Sequence, residues 1–279
     1  MKTNYHNHCY LDDGNGELFE HADSAIKNGL TGLGFSCHAP LPFINEWTLT
    51  TKTLPTYLEG VKKLKSEYKE RLDIALGLEV DYIPGKMGPS SQWIKDLKLD
   101  YVIGSVHMLE DPATGTYYDV DGPDEGFLHL LKNVYKNDIK KMVAAYFHAE
   151  ISLMEEHEFD ILGHCDLIKK KNKDNKFFDQ NEAWYRKEAL GMLEVLAGKD
   201  IIMEINTGAI ARGYQTEFYP NLWMLKEAFR MNIPITLNSD CHQPEKISES
   251  YTESMTIIKD IGYRELQILI DGKWLGKGI

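Results

Sequence analysis

The chain has 279 residues, with 31 Lys+Arg against 43 Asp+Glu and a formal net charge of −12. Hydrophobic residues at 43% and charged residues at 27% are the balance of a globular chain rather than a disordered one. No run of about 18 apolar residues is present to cross a membrane. The acidic balance argues against a nucleic-acid surface, which needs a basic footprint. A small anionic substrate is still compatible, because bound cations can dominate a site locally. The opening Met1-Lys2-Thr3-Asn4-Tyr5-His6 has no apolar core of a signal peptide, so a cytoplasmic location is expected.

In chain order, short β-prone runs alternate with helix-prone stretches. Strands are predicted at residues 2–6, 31–36, 73–80, 100–106, 159–164, 200–206 and 233–238. Several are near-continuous apolar runs, as expected of strands covered on both faces. Amphipathic helices are predicted over 17–28, which stops at Gly29, and over 54–71, 136–157, 181–197 and 220–231. The turn-rich segments 39–53 and 109–126 are read as long loops after strands. Seven β/α alternations imply parallel strands with right-handed crossovers, hence an α/β barrel, with an open doubly wound sheet as second choice. No linker or repeat interrupts the chain, so residues 1–279 are read as a single domain.

Potential metal ligands recur where these strands end. Tyr5-His6-Asn7-His8 puts two histidines at i, i+2, on one side of a strand. His38 ends GLTGLGFSCH, Glu79 lies in IALGLEVDY, and His107 ends DYVIGSVH. His164 lies in FDILGHCDL, Glu204 in DIIMEINTG, and Asp240 and His242 end PITLNSDCH. In a barrel the strand C-terminal ends share one face, where active sites sit. Gathering these groups without a cation would be costly, and clustered divalent ions remove the cost. Imidazole and carboxylate donors suit Zn, Fe or Mn. Each of the 4 cysteines neighbours one of these histidines, so it should point behind the strand as a reduced, buried apolar residue.

This arrangement resembles the PHP (polymerase and histidinol phosphatase) superfamily. The motifs that carry the resemblance are HNH at 6–8, CH at 37–38, GLEVDY at 77–82, GSVH at 104–107, GHCD at 163–166 and NSDCH at 238–242. The resemblance implies a distorted (β/α)7 barrel with a metal site at the strand C-terminal face and two or three ions. Together with EINTGAIAR, the motifs are similar to the monofunctional histidinol-phosphatase branch. By that resemblance the first ion takes His6, His8, Glu79 and Asp240. The second shares Glu79 and adds His107 and His164. The third takes His38, His242 and an acidic residue of the Asp12-Asp13-Gly14 turn, Asp13 being preferred and Asp12 kept open.

The implied reaction is hydrolysis of a phosphate monoester, with L-histidinol phosphate as the expected substrate. Arg212, in a loop after a predicted strand, is the candidate phosphate ligand, against the alternative of a solvated charge. Asn206 could donate to a phosphate oxygen. Glu204 could orient a ligand histidine or meet a substrate ammonium. Asp240 or His242 could relay a proton to the leaving alkoxide, and the general acid stays unassigned. His21, His129, His148 and His157 are read as structural or solvated. The loop carrying Tyr117, Tyr118, Asp119 and Asp121 is read as a cover for a cationic group or as an ordinary lid, and Trp47 has the same two readings. The run Lys169-Lys170-Lys171-Asn172-Lys173 is read as a solvated loop. The partner expected is a small phosphorylated molecule, not nucleic acid or membrane. Rival readings are a PHP phosphoesterase for nucleotides or diesters, a non-catalytic metal-binding PHP module, and a deaminase-type amidohydrolase.

Overall fold

A computed structural model describes residues 1–279. In chain order the strands are β1 (Thr3–Asn4), β2 (Gly32–Phe35), β3 (Asp73–Asp81), β4 (Tyr101–Ser105), β5 (Met108–Asp111), β6 (Thr116–Asp119), β7 (Ile161–Leu162), β8 (Ile202–Asn206), β9 (Ile235–Asn238), β10 (Glu265–Ile270) and β11 (Lys273–Gly278). The helices are α1 (Leu18–Lys27), α2 (Leu54–Tyr68), α3 (Gln92–Asp96), α4 (Asp124–His129), α5 (Ile139–Glu156), α6 (Ala183–Ala197), α7 (Gly208–Ala211), α8 (Leu222–Arg230) and α9 (Tyr251–Ile261). Seven parallel strands form one sheet in the order β1-β2-β3-β4-β7-β8-β9. Six lie inside the expected strand segments and β3 runs one residue past its segment, to Asp81, while the barrel reading holds over the open sheet.

The seam between β9 and β1 is closed by side chains and one bridge rather than a ladder. Asn238 Oδ1 accepts from the Tyr5 amide at 2.8 Å, and Asn4 Nδ2 donates to Ser239 Oγ at 2.7 Å. Above them Asn7 pairs with Cys241 in an isolated parallel bridge. The short β1 has a consequence for the interior. Regular pairing stops at Asn4, whose Oδ1 takes the His6 amide. Consecutive residues then serve two layers, Tyr5 in a lower apolar cluster and His6 in an upper polar one.

The outward strand residues, among them Phe35, Leu78, Leu162, Ile205 and Leu237, are buried under the helices. Their apolar runs are what strands covered on both faces require. α1 and α2 pack over β2 and β3, while α5, α6 and α8 cover the β7–β9 side. Inside, Tyr101 crosses the lower barrel and donates to the carbonyls of Tyr5 (2.5 Å) and Phe35 (3.0 Å). A Cβ on Gly34 or Gly77 would lie 2.4 Å from its ring or hydroxyl, so these two glycines make its room.

Several elements depart from the sequence expectations, the short helices α3, α4 and α7 among them. The segment 109–126, read as a loop, contains most of the antiparallel β5–β6 hairpin. α9 and the β10–β11 hairpin were not anticipated. That last hairpin packs Ile268 and Leu269 against Tyr5, Tyr101, Ile103, Ile161 and Ile202, plugging the lower barrel. All 4 cysteines are free and buried, in line with the apolar reading. No helix is long and apolar enough to cross a membrane.

Candidate metal centre

The upper interior is polar because the inward positions change character along each strand. On β3, Ala75 and Gly77 are followed by Glu79 and Asp81. On β4, Tyr101 and Ile103 are followed by Ser105 and then His107. Glu79 is fully buried at the centre of the resulting cluster. Its Oε2 lies 3.1 Å from His6 Nε2, 3.1 Å from His38 Nδ1 and 3.5 Å from His8 Nε2. Its Oε1 lies 3.0 Å from His164 Nε2 and 3.5 Å from His107 Nε2, and accepts from Ser105 Oγ at 2.6 Å. One carboxylate thus faces five histidines from four separate stretches of chain.

Asp240 and His242 arrive from β9 through a left-handed residue, Asp240 itself at φ 49°. Aspartate tolerates that region better than most residues. Asp240 Oδ1 lies 3.4 Å from His8 Nε2 and 3.8 Å from His6 Nε2. On the outer side His242 Nε2 is 3.3 Å from Asp13 Oδ2, and His38 Nε2 is 3.9 Å from Asp13 Oδ1. Donor atoms of His8, Asp13, His38 and His242 lie within 4.8 Å of one another, as do those of His6, His8 and Asp240. The sets His6–Glu79–His164 and His38–Glu79–His107 meet the same limit.

These side chains fit divalent cations. His8 Nε2 and His38 Nδ1 are buried in the midst of carboxylates yet have no hydrogen-bond partner. Buried polar atoms are seldom left so, and a cation satisfies both kinds of donor at once. The electrostatics agree. Burial opposes a charge on His6, but Glu204, Glu79 and Asp240 outweigh it and hold its pKa up at about 10. Burial likewise opposes ionised Glu79, yet His6, His38 and His107 keep its carboxyl well below the usual range. Protons and metal ions therefore compete for these nitrogens.

Carboxylates behind the cluster fix the histidine rings. His6 Nδ1 meets Glu204 Oε1 at 2.7 Å, His8 Nδ1 meets Asp12 Oδ2 at 2.7 Å, and His107 Nδ1 meets Asp81 Oδ1 at 2.9 Å. Such partners set the tautomer and raise ligand basicity. Asp12 also accepts the amides of Cys9 and His38, so its oxygens are spent and Asp13 is the member of the pair that faces the cluster. Asp81 was not singled out from the sequence, although it stands two residues past Glu79 on one strand and must share its face.

Two expected substrate contacts are corrected. Glu204 is fully buried and accepts from the His164 amide (2.9 Å), Asn206 (3.0 Å) and Asn238 (2.9 Å) besides meeting His6. It is the histidine-orienting alternative, not an ammonium contact. Asn206 is also fully buried, and its amide is spent on Glu204 and Asp240 (3.3 Å). Neither lines the cavity above the cluster. Lys169, read as solvated, is 1% exposed and bonds to Asp166 (2.8 Å) and the Phe218 carbonyl (2.8 Å). The chain turns inward after GHCD, and Asp166 gives the lysine a buried partner.

Arg212 does reach the rim. Nη2 donates to Asp240 Oδ2 at 2.9 Å and Nη1 to the Asp240 carbonyl at 2.8 Å, with His242 Nδ1 2.7 Å away. It lines a cavity of about 290 Å³ with His38, His107, His164, Asp240 and His242 at its base. Trp47, from the 39–53 loop, stands edge-on to His38 at 4.7 Å in the wall.

A parallel β/α barrel with a His/Asp/Glu cluster on the rim defines a class of metal-binding barrels. Within that class the chain belongs to the PHP domain family, which it matches over residues 3–208. It is 29% identical to the "Probable histidinol-phosphatase" of Deinococcus radiodurans over 247 residues, 88% of this chain and 87% of that protein. It is 25% identical to the histidinol-phosphatase of Bacillus subtilis over 251 residues, covering 85% and 91%. Among solved structures it resembles the histidinol phosphate phosphatase of Lactococcus lactis complexed with zinc, L-histidinol and phosphate. That match has a TM-score of 0.76 at 25% identity and covers 98% of each chain.

Proposed function

We propose that this chain is a metal-dependent histidinol-phosphatase, hydrolysing L-histidinol phosphate to L-histidinol and phosphate. The observation that carries the reading is Glu79, with each oxygen facing a different set of histidines beneath a cavity edged by Arg212. A carboxylate so placed suits a bridge between two ions. The related proteins named above supply the substrate.

His6, His8, Glu79 and Asp240 would hold one ion, Glu79, His107 and His164 a second, and Asp13, His38 and His242 a third. Zn, Fe and Mn all suit these donors. Bound ions supply Lewis acidity and lower the pKa of coordinated water. The remaining work falls to the chain itself. Glu204, Asp12 and Asp81 hold the histidine rings in place. Arg212 fixes Asp240 and still has its Nε–H and one Nη2–H free of protein partners, a fork suited to phosphoryl oxygens. Free cysteines suit a reducing compartment, and we place the activity in the cytoplasm.

The test is a substrate panel on metal-loaded protein. The expected result is a higher kcat/KM for L-histidinol phosphate than for nucleoside monophosphates or a phosphodiester. Faster turnover of a nucleotide or a diester would move the assignment to another PHP phosphoesterase. Bound metal without any hydrolysis would make the chain a binding module.

A further inference from the structure

The cavity has walls of uneven charge. Asp121 and Lys170 pair at 2.7 Å, while Asp119 also lines the cavity and has neither a salt bridge nor a side-chain hydrogen bond. The charged groups that act on Asp119 are Asp121, His107, Asp81 and Lys170, and the lysine is already committed to Asp121. The wall therefore carries an unneutralised carboxylate. Burial and Asp121 push the Asp119 carboxyl up to about 6.

The carboxylate is also held in place. Asp119 ends β6 opposite Met108 at the open end of the hairpin, and the Val120 amide bonds to the His107 carbonyl at 2.9 Å, tying the hairpin to a residue of the cluster. Gly122 lies against it so closely that a Cβ there would fall 2.7 Å from Asp119 Oδ2. Arg212 and the cation cluster line the same cavity and offer an anion site there. A ligand that satisfies both the anion site and Asp119 carries a phosphate and a positive group.

We infer that Asp119 is a specificity-determining residue, whose carboxylate receives the cationic end of an amine-bearing phosphate monoester. This rests on reading the site as a phosphatase and adds which part of the substrate the protein discriminates. Trp47 and Tyr214 also line the cavity.

The experiment compares kcat/KM of metal-loaded wild type and Asp119→Asn on L-histidinol phosphate, 2-aminoethyl phosphate, propyl phosphate and p-nitrophenyl phosphate. The expected result is a loss of preference for the amine-bearing over the neutral-tailed esters of about 10- to 100-fold, the range for a charge-assisted hydrogen bond, read mainly in KM. Asp119→Glu should restore part of the preference. Gly122→Ala, which displaces the carboxylate without removing it, should lower it. Equal loss on all four esters, or an unchanged preference, overturns the inference and leaves histidinol-phosphatase activity standing. Conversely, wild type that ignores L-histidinol phosphate yet prefers 2-aminoethyl over propyl phosphate in an Asp119-dependent way sustains the inference and removes the named substrate.

Discussion

The two halves of the barrel interior are built from the same strands, a few residues apart, and follow opposite rules. The lower half is filled by Tyr5, Ala75, Tyr101, Ile103, Ile161 and Ile202 and sealed by the C-terminal hairpin, with Trp274 Nε1 donating to Asp160 at 2.8 Å. The upper half is filled by histidines and carboxylates, and three buried nitrogens there, on His8, His38 and His164, lack any partner. Apolar burial stabilises the first half, whereas the second gathers desolvated polar groups that cost stability until cations join them. Stability and function are thus segregated along the barrel axis, and changes in one half should leave the other's property largely intact.

The largest effect is expected at Glu79. Glu79→Ala removes the carboxylate shared by the two central donor sets, so bound metal and phosphate release should both collapse while circular dichroism keeps a folded spectrum. Next come the orienting carboxylates. Asp81→Asn and Glu204→Gln should each lower metal affinity or turnover by about 10- to 100-fold. Metal titration followed by phosphate assay separates affinity from rate, and wild-type values for both variants would show that these partners do not orient the histidines.

In the lower half the readout reverses. Tyr101→Phe removes the hydroxyl that bonds to the Tyr5 and Phe35 carbonyls, so it should destabilise by about 1–3 kcal/mol in denaturant unfolding, with metal content and KM unchanged. A Tyr101→Phe protein that loses metal would show that the halves are coupled. The smallest effect is expected outside the barrel at Glu150, buried on α5. Burial pushes its carboxyl well above the usual range despite the Tyr146 hydroxyl that donates to it at 2.5 Å. The folded state thus holds this proton after the unfolded chain has released it. Wild-type stability should fall as pH rises above the ordinary glutamate value of about 4.3. Glu150→Gln should flatten that slope and change stability by no more than about 1 kcal/mol at acidic pH. An identical slope in both proteins would place the dependence elsewhere.

Much of the upper half was legible in the sequence, because a ligand at a strand end leaves a trace in the strand pattern itself. His6, His8, His38, Glu79, His107, His164, Asp240 and His242 all follow β-prone runs, and the fold brings them to one rim. The groups behind them were harder to read. Glu204 and Asn206 sit at strand positions that look like any other rim residue, and only the depth of burial separates an orienting group from a substrate contact. Lys169 looked like its neighbours in a basic run, and its buried partner Asp166 becomes visible only once the chain turns. The lower plug was invisible for a different reason. The 265–278 hairpin has no sequence feature tying it to Tyr5, and the two meet through packing and the Leu269 amide bonding to the Tyr5 hydroxyl at 2.9 Å. The β5–β6 hairpin hid in a segment whose turn residues outweighed two strands of four residues each.

Removing the metal tests the central claim most directly. Wild-type protein is stripped with a chelator, dialysed, and assayed for phosphate release and thermal unfolding before and after adding back Zn, Fe or Mn. Turnover should vanish with the metal and return with it, and the restored protein should melt at a higher temperature, because ligands that bind only the folded state stabilise it. Full turnover by metal-free protein would contradict the account.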